Sequence, residues 1–215
     1  MAYPYSRSET IADGAVHATG LICAIPASLL LIWQTDGGQD ALTTTTIVYV
    51  CSLLLAFTAS AIYHMTPADH IRPMLHRIDH AAIYFKIAGT YAPIVAMIGT
   101  GFAYAILGVV WALAAVGAIA KLSFSGTDAK WSLALYLGMG WLSVLLIWPM
   151  WQTLSGWALL LIVVGGVIYS VGTYVYAHPG MRYQNAIPEC DLAQLCAGRL
   201  NLSFWRHRAE RLDRR

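Results

Sequence analysis

The chain has 215 residues, of which 58% are hydrophobic and only 11% charged, with a formal net charge of +2. An ordinary soluble domain carries about 25% charged residues, so the composition excludes that class and points to a multi-span membrane protein whose partners are membrane lipids. The net charge says little by itself, because seven of the thirteen Lys and Arg residues lie beyond Gly180, and no nucleic-acid partner is expected.

In chain order, the first apolar run spans Val16 to Trp33 and ends in the Thr35-Asp36-Gly37-Gly38 turn. The second covers Leu42 to Met65, followed by a polar, histidine-bearing loop with Pro67 and Pro73. The third runs from Ile78 to Ile98, and Thr100-Gly101 connects it tightly to the fourth, Phe102 to Ala120. Lys121 to Lys130 reads as a polar loop. The fifth run is Trp131 to Trp151 and the sixth Trp157 to Tyr176. Each approaches the ~20 apolar residues a bilayer core requires. The expected organisation is an N-terminal segment (1–15), a transmembrane helical domain (16–177) and a basic C-terminal tail (178–215). No cleavable signal peptide is visible around Arg7, Glu9 and Asp13. The four cysteines (Cys23, Cys51, Cys190, Cys196) form no CxxC pair and read as small apolar residues.

The cations set an orientation. Arg7 precedes the first span, Arg72 and Arg77 follow the second, Lys121 and Lys130 follow the fourth, and Arg182 follows the sixth. The connections after the first, third and fifth spans hold no Lys or Arg. Under the positive-inside bias this places the N-terminus in the cytoplasm of a multi-pass protein of the bacterial inner membrane.

That orientation brings three polar helix ends to one leaflet. Glu9, Asp13 and His17 are spaced by four and stack on one helix face. Ser60 and His64 share a face one turn apart at the exit of the second span, and Arg77, Asp79 and His80 stand at the entry of the third. Polar groups at membrane helix ends mark a functional site by default. A Ser–His pair alone is a weak signal for nucleophilic catalysis, which needs an orienting group and an oxyanion hole. Imidazole, carboxylate and a bound water fit a zinc site better. His76 and His80, four apart, can share a face; with His70 they are weaker ligand candidates. Lys86, about two turns into the third helix, is the only deep cation and the one pore candidate, with snorkelling or carboxylate pairing as its ordinary explanation.

Glu9-x3-Asp13-Gly14-x2-His17-x2-Gly20, Ser60-Ala61-x-Tyr63-His64, His76-Arg77-x-Asp79-His80-x2-Ile83-Tyr84 and Ala88-Gly89-Thr90-Tyr91-x-Pro93 resemble the bacterial hemolysin III proteins, relatives of the progestin and adipoQ receptors and, more distantly, of alkaline ceramidases. Tyr169, Gly172 and Tyr176 are similar to the family's Gly/Tyr-rich sixth helix. The resemblance covers about residues 7 to 187. It implies seven transmembrane helices and zinc near the cytoplasmic side, held by one histidine of Ser-x3-His and two of a His-x3-His on the last helix. It implies His64 as the first zinc ligand, Ser60 as its neighbour and Asp79 as the carboxylate that positions the zinc-bound water.

The departure comes at the seventh helix. After Tyr183-Gln184-Asn185-Ala186-Ile187 the chain reads Pro188-Glu189-Cys190-Asp191 and ends in an Arg-rich stretch, with no seventh apolar run. Asn185 and Glu189 occupy the positions of the two histidines. Codons for Pro188 to Cys196, read one nucleotide later, can encode Asn-Ala-Ile-Trp-His-Ser-Phe, the continuation the family leads one to expect. A short out-of-frame tandem duplication accounts for this; a basic tail binding anionic lipid is the rival account. Three functional classes follow: a zinc-dependent lipid amide hydrolase with an incomplete site, a non-catalytic membrane-homeostasis protein, and a pore-forming cytolysin, the least supported because the polar residues gather at one leaflet.

Overall fold

A computed structural model describes residues 7–35, 40–68, 70–123 and 129–177, which contain helices and no strand. In order these are α1 (Arg7–Thr35), α2 (Asp40–Met65), α3 (Arg72–Ile98), α4 (Gly101–Ser123), α5 (Ala129–Trp141), a 3₁₀ turn (Leu142–Leu146), α6 (Ile147–Thr153) and α7 (Gly156–Ala177). Five stretches are long and apolar enough to cross a membrane, the fifth being the composite Trp131–Thr153. The sixth helix, α7, is 22 residues long, about 33 Å at 1.5 Å per residue. The outer surface carries Ile22, Leu29, Val116, Ile119, Val163 and Val167, all exposed. In water such a surface would aggregate; in lipid it is the required solvent face. The all-α multi-pass architecture expected from the sequence is what the chain forms.

The bundle is organised around α3, of whose most apolar stretch 61% is buried, against 22–39% for the other four spans. It packs between α2 and α4, and α1 packs on α2. Small residues permit this, as they do wherever membrane helices must approach without a hydrophobic drive. A Cβ on Gly89 of α3 would lie 2.6 Å from Ser52 Oγ of α2, and one on Gly117 of α4 would lie 2.5 Å from Tyr84 Cε1 of α3. Ala56, Ala59 and Ala82 line the same α2–α3 seam, while Ala24, Leu53 and Phe57 join α1 to α2.

Helix limits differ from the apolar runs where polar residues still favour helix. α1 starts at Arg7, well before Val16, because helix continues past the apolar boundary. α3 starts at Arg72 with Pro73 in its first turn, where a missing N–H is harmless. His76 and Arg77 are therefore helical and not in the loop. α4 continues to Ser123, so Lys121 is not a loop cation: it sits in the last helical turn and is buried. α3 ends at Gly99, whose φ of 69° is a left-handed cap and whose N–H donates to Val95 O at 2.9 Å.

The fifth span is broken where the sequence reads as continuous. Pro149 has no N–H to return to the preceding turn, and the segment ahead of it tightens to 3₁₀. Tyr91 of α3 secures the break, its hydroxyl lying 2.6 Å from Met139 O and 3.0 Å from Gly140 O. Tyr91→Phe is expected to cost about 1–3 kcal/mol, the penalty of leaving buried carbonyls without their donor. The check is the thermal midpoint in detergent. An unchanged midpoint would show that the hydroxyl does not hold the break.

Candidate functional site

Three helix ends meet where the sequence places its polar residues. On α2, Ser60 and His64 are one turn apart and half-buried. On α1, His17 is buried to 9% exposure and faces them. Its Nε2 lies 3.0 Å from Ser60 Oγ, accepting from the hydroxyl in the Nδ1–H tautomer and donating to it in the other. The imidazole of His17 also stacks on that of His64, with ring centroids 5.0 Å apart and planes 30° from parallel. So Ser60, expected to act with His64, is held by His17 on the neighbouring helix.

The third helix joins through aromatic contacts. Tyr63 stands edge-on to His64 at 4.8 Å and to His76 at 5.2 Å. The rings of His76 and His80 are 4.1 Å apart, the shared face their spacing suggested. Arg72 lies over the Tyr63 ring at 5.5 Å. His70, in the preceding turn, is exposed and stands apart from this row.

Asp79 is buried at 5% exposure, an expensive state for a carboxylate unless its neighbours stabilise it. His80 Nδ1 lies 3.7 Å from Asp79 Oδ2 and 3.1 Å from His76 O. A carbonyl only accepts, so Nδ1 carries the hydrogen and Nε2 of the neutral ring is left as the basic nitrogen. Tyr136 of α5 donates its hydroxyl to His80 O at 2.8 Å, anchoring this turn from the far side. The result is a hydroxyl–imidazole pair and a carboxylate–imidazole pair at one end of the bundle, linked by Tyr63 and His76.

The donor chemistry tests the zinc expectation. Among the described residues no three His, Cys, Asp or Glu groups converge as metal ligands. His64 has His17 as its ring neighbour, but His17 Nε2 is already engaged by Ser60. The described residues therefore do not fit a three-ligand zinc site. The side chains of Glu9, Asp13, Tyr169, Gly172 and Tyr176 lie outside the described residues, as do Asn185, Glu189 and the whole segment after Ala177.

Sequence reasoning undervalued two groups. Tyr63 was visible inside the Ser-Ala-x-Tyr-His motif, yet its role as a link to α3 depends on helix crossing. Lys121 is a buried cation bonded to Ser132, where a loop cation was expected. Lys86 lies over the Phe57 ring at 5.5 Å, a cation–π contact at the α2–α3 seam.

Comparison with known proteins agrees with this arrangement of motifs. The profile described as "Haemolysin-III related" matches residues 5–185, leaving outside it nearly all of the segment that departs from the family pattern. The chain is 33% identical over 186 residues to the hemolysin-3 homolog of Bacillus subtilis (strain 168), covering 85% of this chain and 87% of that protein. It is 33% identical over 182 residues to hemolysin-3 of Bacillus cereus, covering 83% of each. No solved structure matches the chain. A profile match across most of the length, joined to relatives of this identity and coverage, shows that the chain belongs to the hemolysin III family.

Proposed function

We propose that the chain is built on the scaffold of a ceramidase-like lipid amide hydrolase, and that its working chamber is the polar end shared by α1, α2 and α3. The observation that carries this reading is the convergence of Ser60, His17 and His64 with Asp79 and His80 at one depth, inside helices that are otherwise apolar. A hydroxyl held by imidazole can donate to a developing oxyanion, and a buried carboxylate can hold the proton of an attacking water. The chamber's place at a helix end suits a lipid whose polar headgroup lies at the bilayer surface and whose chains lie along the helices.

Zinc-dependent turnover needs about three protein ligands, and His64 is the one convincing candidate in this chain. The proposal is therefore a lipid-binding chamber without hydrolysis in the chain as it stands. Metal analysis and a long-chain ceramide hydrolysis assay on the purified full chain test it. The expected result is substoichiometric zinc and no fatty acid release above background. Both should appear when the residues after Ile187 are replaced by Trp-His-Ser-Phe-Val-Leu-Ala-Ala-Ser and a relative's apolar helix. In that restored chain, Asp79→Asn or Ser60→Ala should lower turnover by about 10²-fold or more, the usual weight of a positioned proton-transfer group. Stoichiometric zinc and turnover in the unrestored chain, both lost on His64→Ala, would overturn the incomplete-site reading. A zinc-loaded restored chain without turnover would favour the non-catalytic membrane-homeostasis reading. Pore formation, which the relatives' names suggest, is not favoured. A conducting path needs polar lining through the full depth, whereas the most buried side chains here are Tyr84, Met139, Leu146, Val95, Val110 and Thr46.

A further inference from the structure

On the opposite side of α3 from Ser60 lies a second polar compartment, which the hydrolase reading does not use. Lys121, in the last turn of α4, has 7% exposure, and its Nζ donates to Ser132 Oγ of α5 at 3.1 Å. Ser132 is itself buried at 3%. A lysine at a membrane helix end ordinarily snorkels outward to water and headgroups. This one turns inward. An ammonium has three donors, and Ser132 takes one.

The surroundings add positive charge and little to neutralise it. Arg77 of α3 reaches to 3.5 Å from Leu122 O, beside Lys121 on the same helix end. His76 and His80 lie within electrostatic reach of Lys121. The carboxylate of this region, Asp79, is beside His80 at 3.7 Å. The C-terminal dipole of α4 favours a cation here, but it amounts to about half an elementary charge spread over a turn of carbonyls. A buried ammonium without a full counter-charge is costly, so such sites are completed by an anion.

We propose that Lys121, Ser132 and Arg77 form a binding site for a phosphate group at this end of the bundle, taken from an anionic phospholipid headgroup or from soluble phosphate. Lys121 acts as the point charge that anchors it, Arg77 supplies planar paired donors, and the Ser132 hydroxyl orients the ammonium. The site adjoins the chamber through His76 and His80, so a bound headgroup would bring its lipid alongside the first polar cluster.

The test uses the purified full chain and reads its thermal midpoint. Nanodiscs of phosphatidylcholine are compared with nanodiscs containing phosphatidylglycerol, and sodium phosphate with sodium chloride at matched ionic strength in detergent. At about a hundredfold excess over Kd, a ligand bound to the folded state should raise the midpoint by about 5–10 °C. Lys121→Met should lose that rise while keeping a folded protein, since it removes the charge at nearly constant volume. Arg77→Gln gives a second, more exposed variant with a reduced rise.

A rise with phosphatidylglycerol alone, lost in Lys121→Met, supports the site and assigns it to lipid. A rise with inorganic phosphate, lost in the same variant, supports it and assigns it to the phosphate group itself. No rise with either ligand, or a rise that Lys121→Met leaves intact, overturns the proposal. Asp128, seven residues after Lys121, lies outside the described residues and is the rival counter-charge; were it the partner, phosphate would leave the midpoint unmoved.

Discussion

Gly117→Val is expected to destabilise the bundle severely, whereas Gly108→Val on the same helix should be close to neutral. The two glycines differ in what a side chain would meet. At Gly117 an added Cβ falls 2.5, 2.6 and 2.8 Å from three atoms of the Tyr84 ring; at Gly108 nothing lies within 4 Å. Real Cβ atoms do not approach that closely, so α4 must move away or the ring must turn. The ring has no room to turn. Tyr84 is 1% exposed and stacks at 4.4 Å on Tyr136, whose hydroxyl holds His80 O. Overpacking a filled site costs about 1–3 kcal/mol and sometimes more, and here the strain would run from Tyr84 through Tyr136 to the turn that carries Asp79 and His80. The expected readout is a thermal midpoint lowered by several degrees, with weaker phosphate binding. Equal midpoints for the two variants would show that the α3–α4 seam is looser than its geometry implies.

This seam also shows what a sequence can and cannot disclose. The spans were legible, because length and apolarity are local properties and a bilayer needs about 20 such residues whatever the fold around them. The one-ended gathering of Ser60, His64 and Asp79 was legible for the same reason: depth along a helix follows from counting. Lateral pairing was not. Ser60 stands one turn from His64 in the chain, yet its partner is His17, forty-three residues earlier, because α1 crosses α2 at that level. Lys121 misled in the opposite way. A cation after an apolar run reads as a loop, but α4 continues to Ser123 because a hydroxyl on α5 awaits the ammonium. The break in the fifth span was written in Pro149, though its depth became clear only with Tyr91 bonded to the carbonyls of Met139 and Gly140.

Labelling from outside should give an all-or-none answer on orientation. In a background without Cys23, Cys51, Cys190 and Cys196, Gly38→Cys is expected to react with an impermeant maleimide on intact cells. Thr127→Cys is expected to react only after permeabilisation. The argument is the charge alternation: Arg7, Arg72, Arg77, Lys121 and Lys130 all fall at one set of helix ends, and the connections at the other set hold neither Lys nor Arg. The burial of Lys121 does not weaken it. With that residue set aside, Arg7, Arg72, Arg77 and Lys130 still lie on the same side, against none opposite. The result also governs the two proposed sites, since Asp79 and Lys121 share that end of the bundle. If it faces the cytoplasm, both sites meet the leaflet whose anionic lipids attract basic protein surfaces. Labelling at Thr127→Cys on intact cells, with Gly38→Cys protected, would invert the topology and place both sites in the outer leaflet.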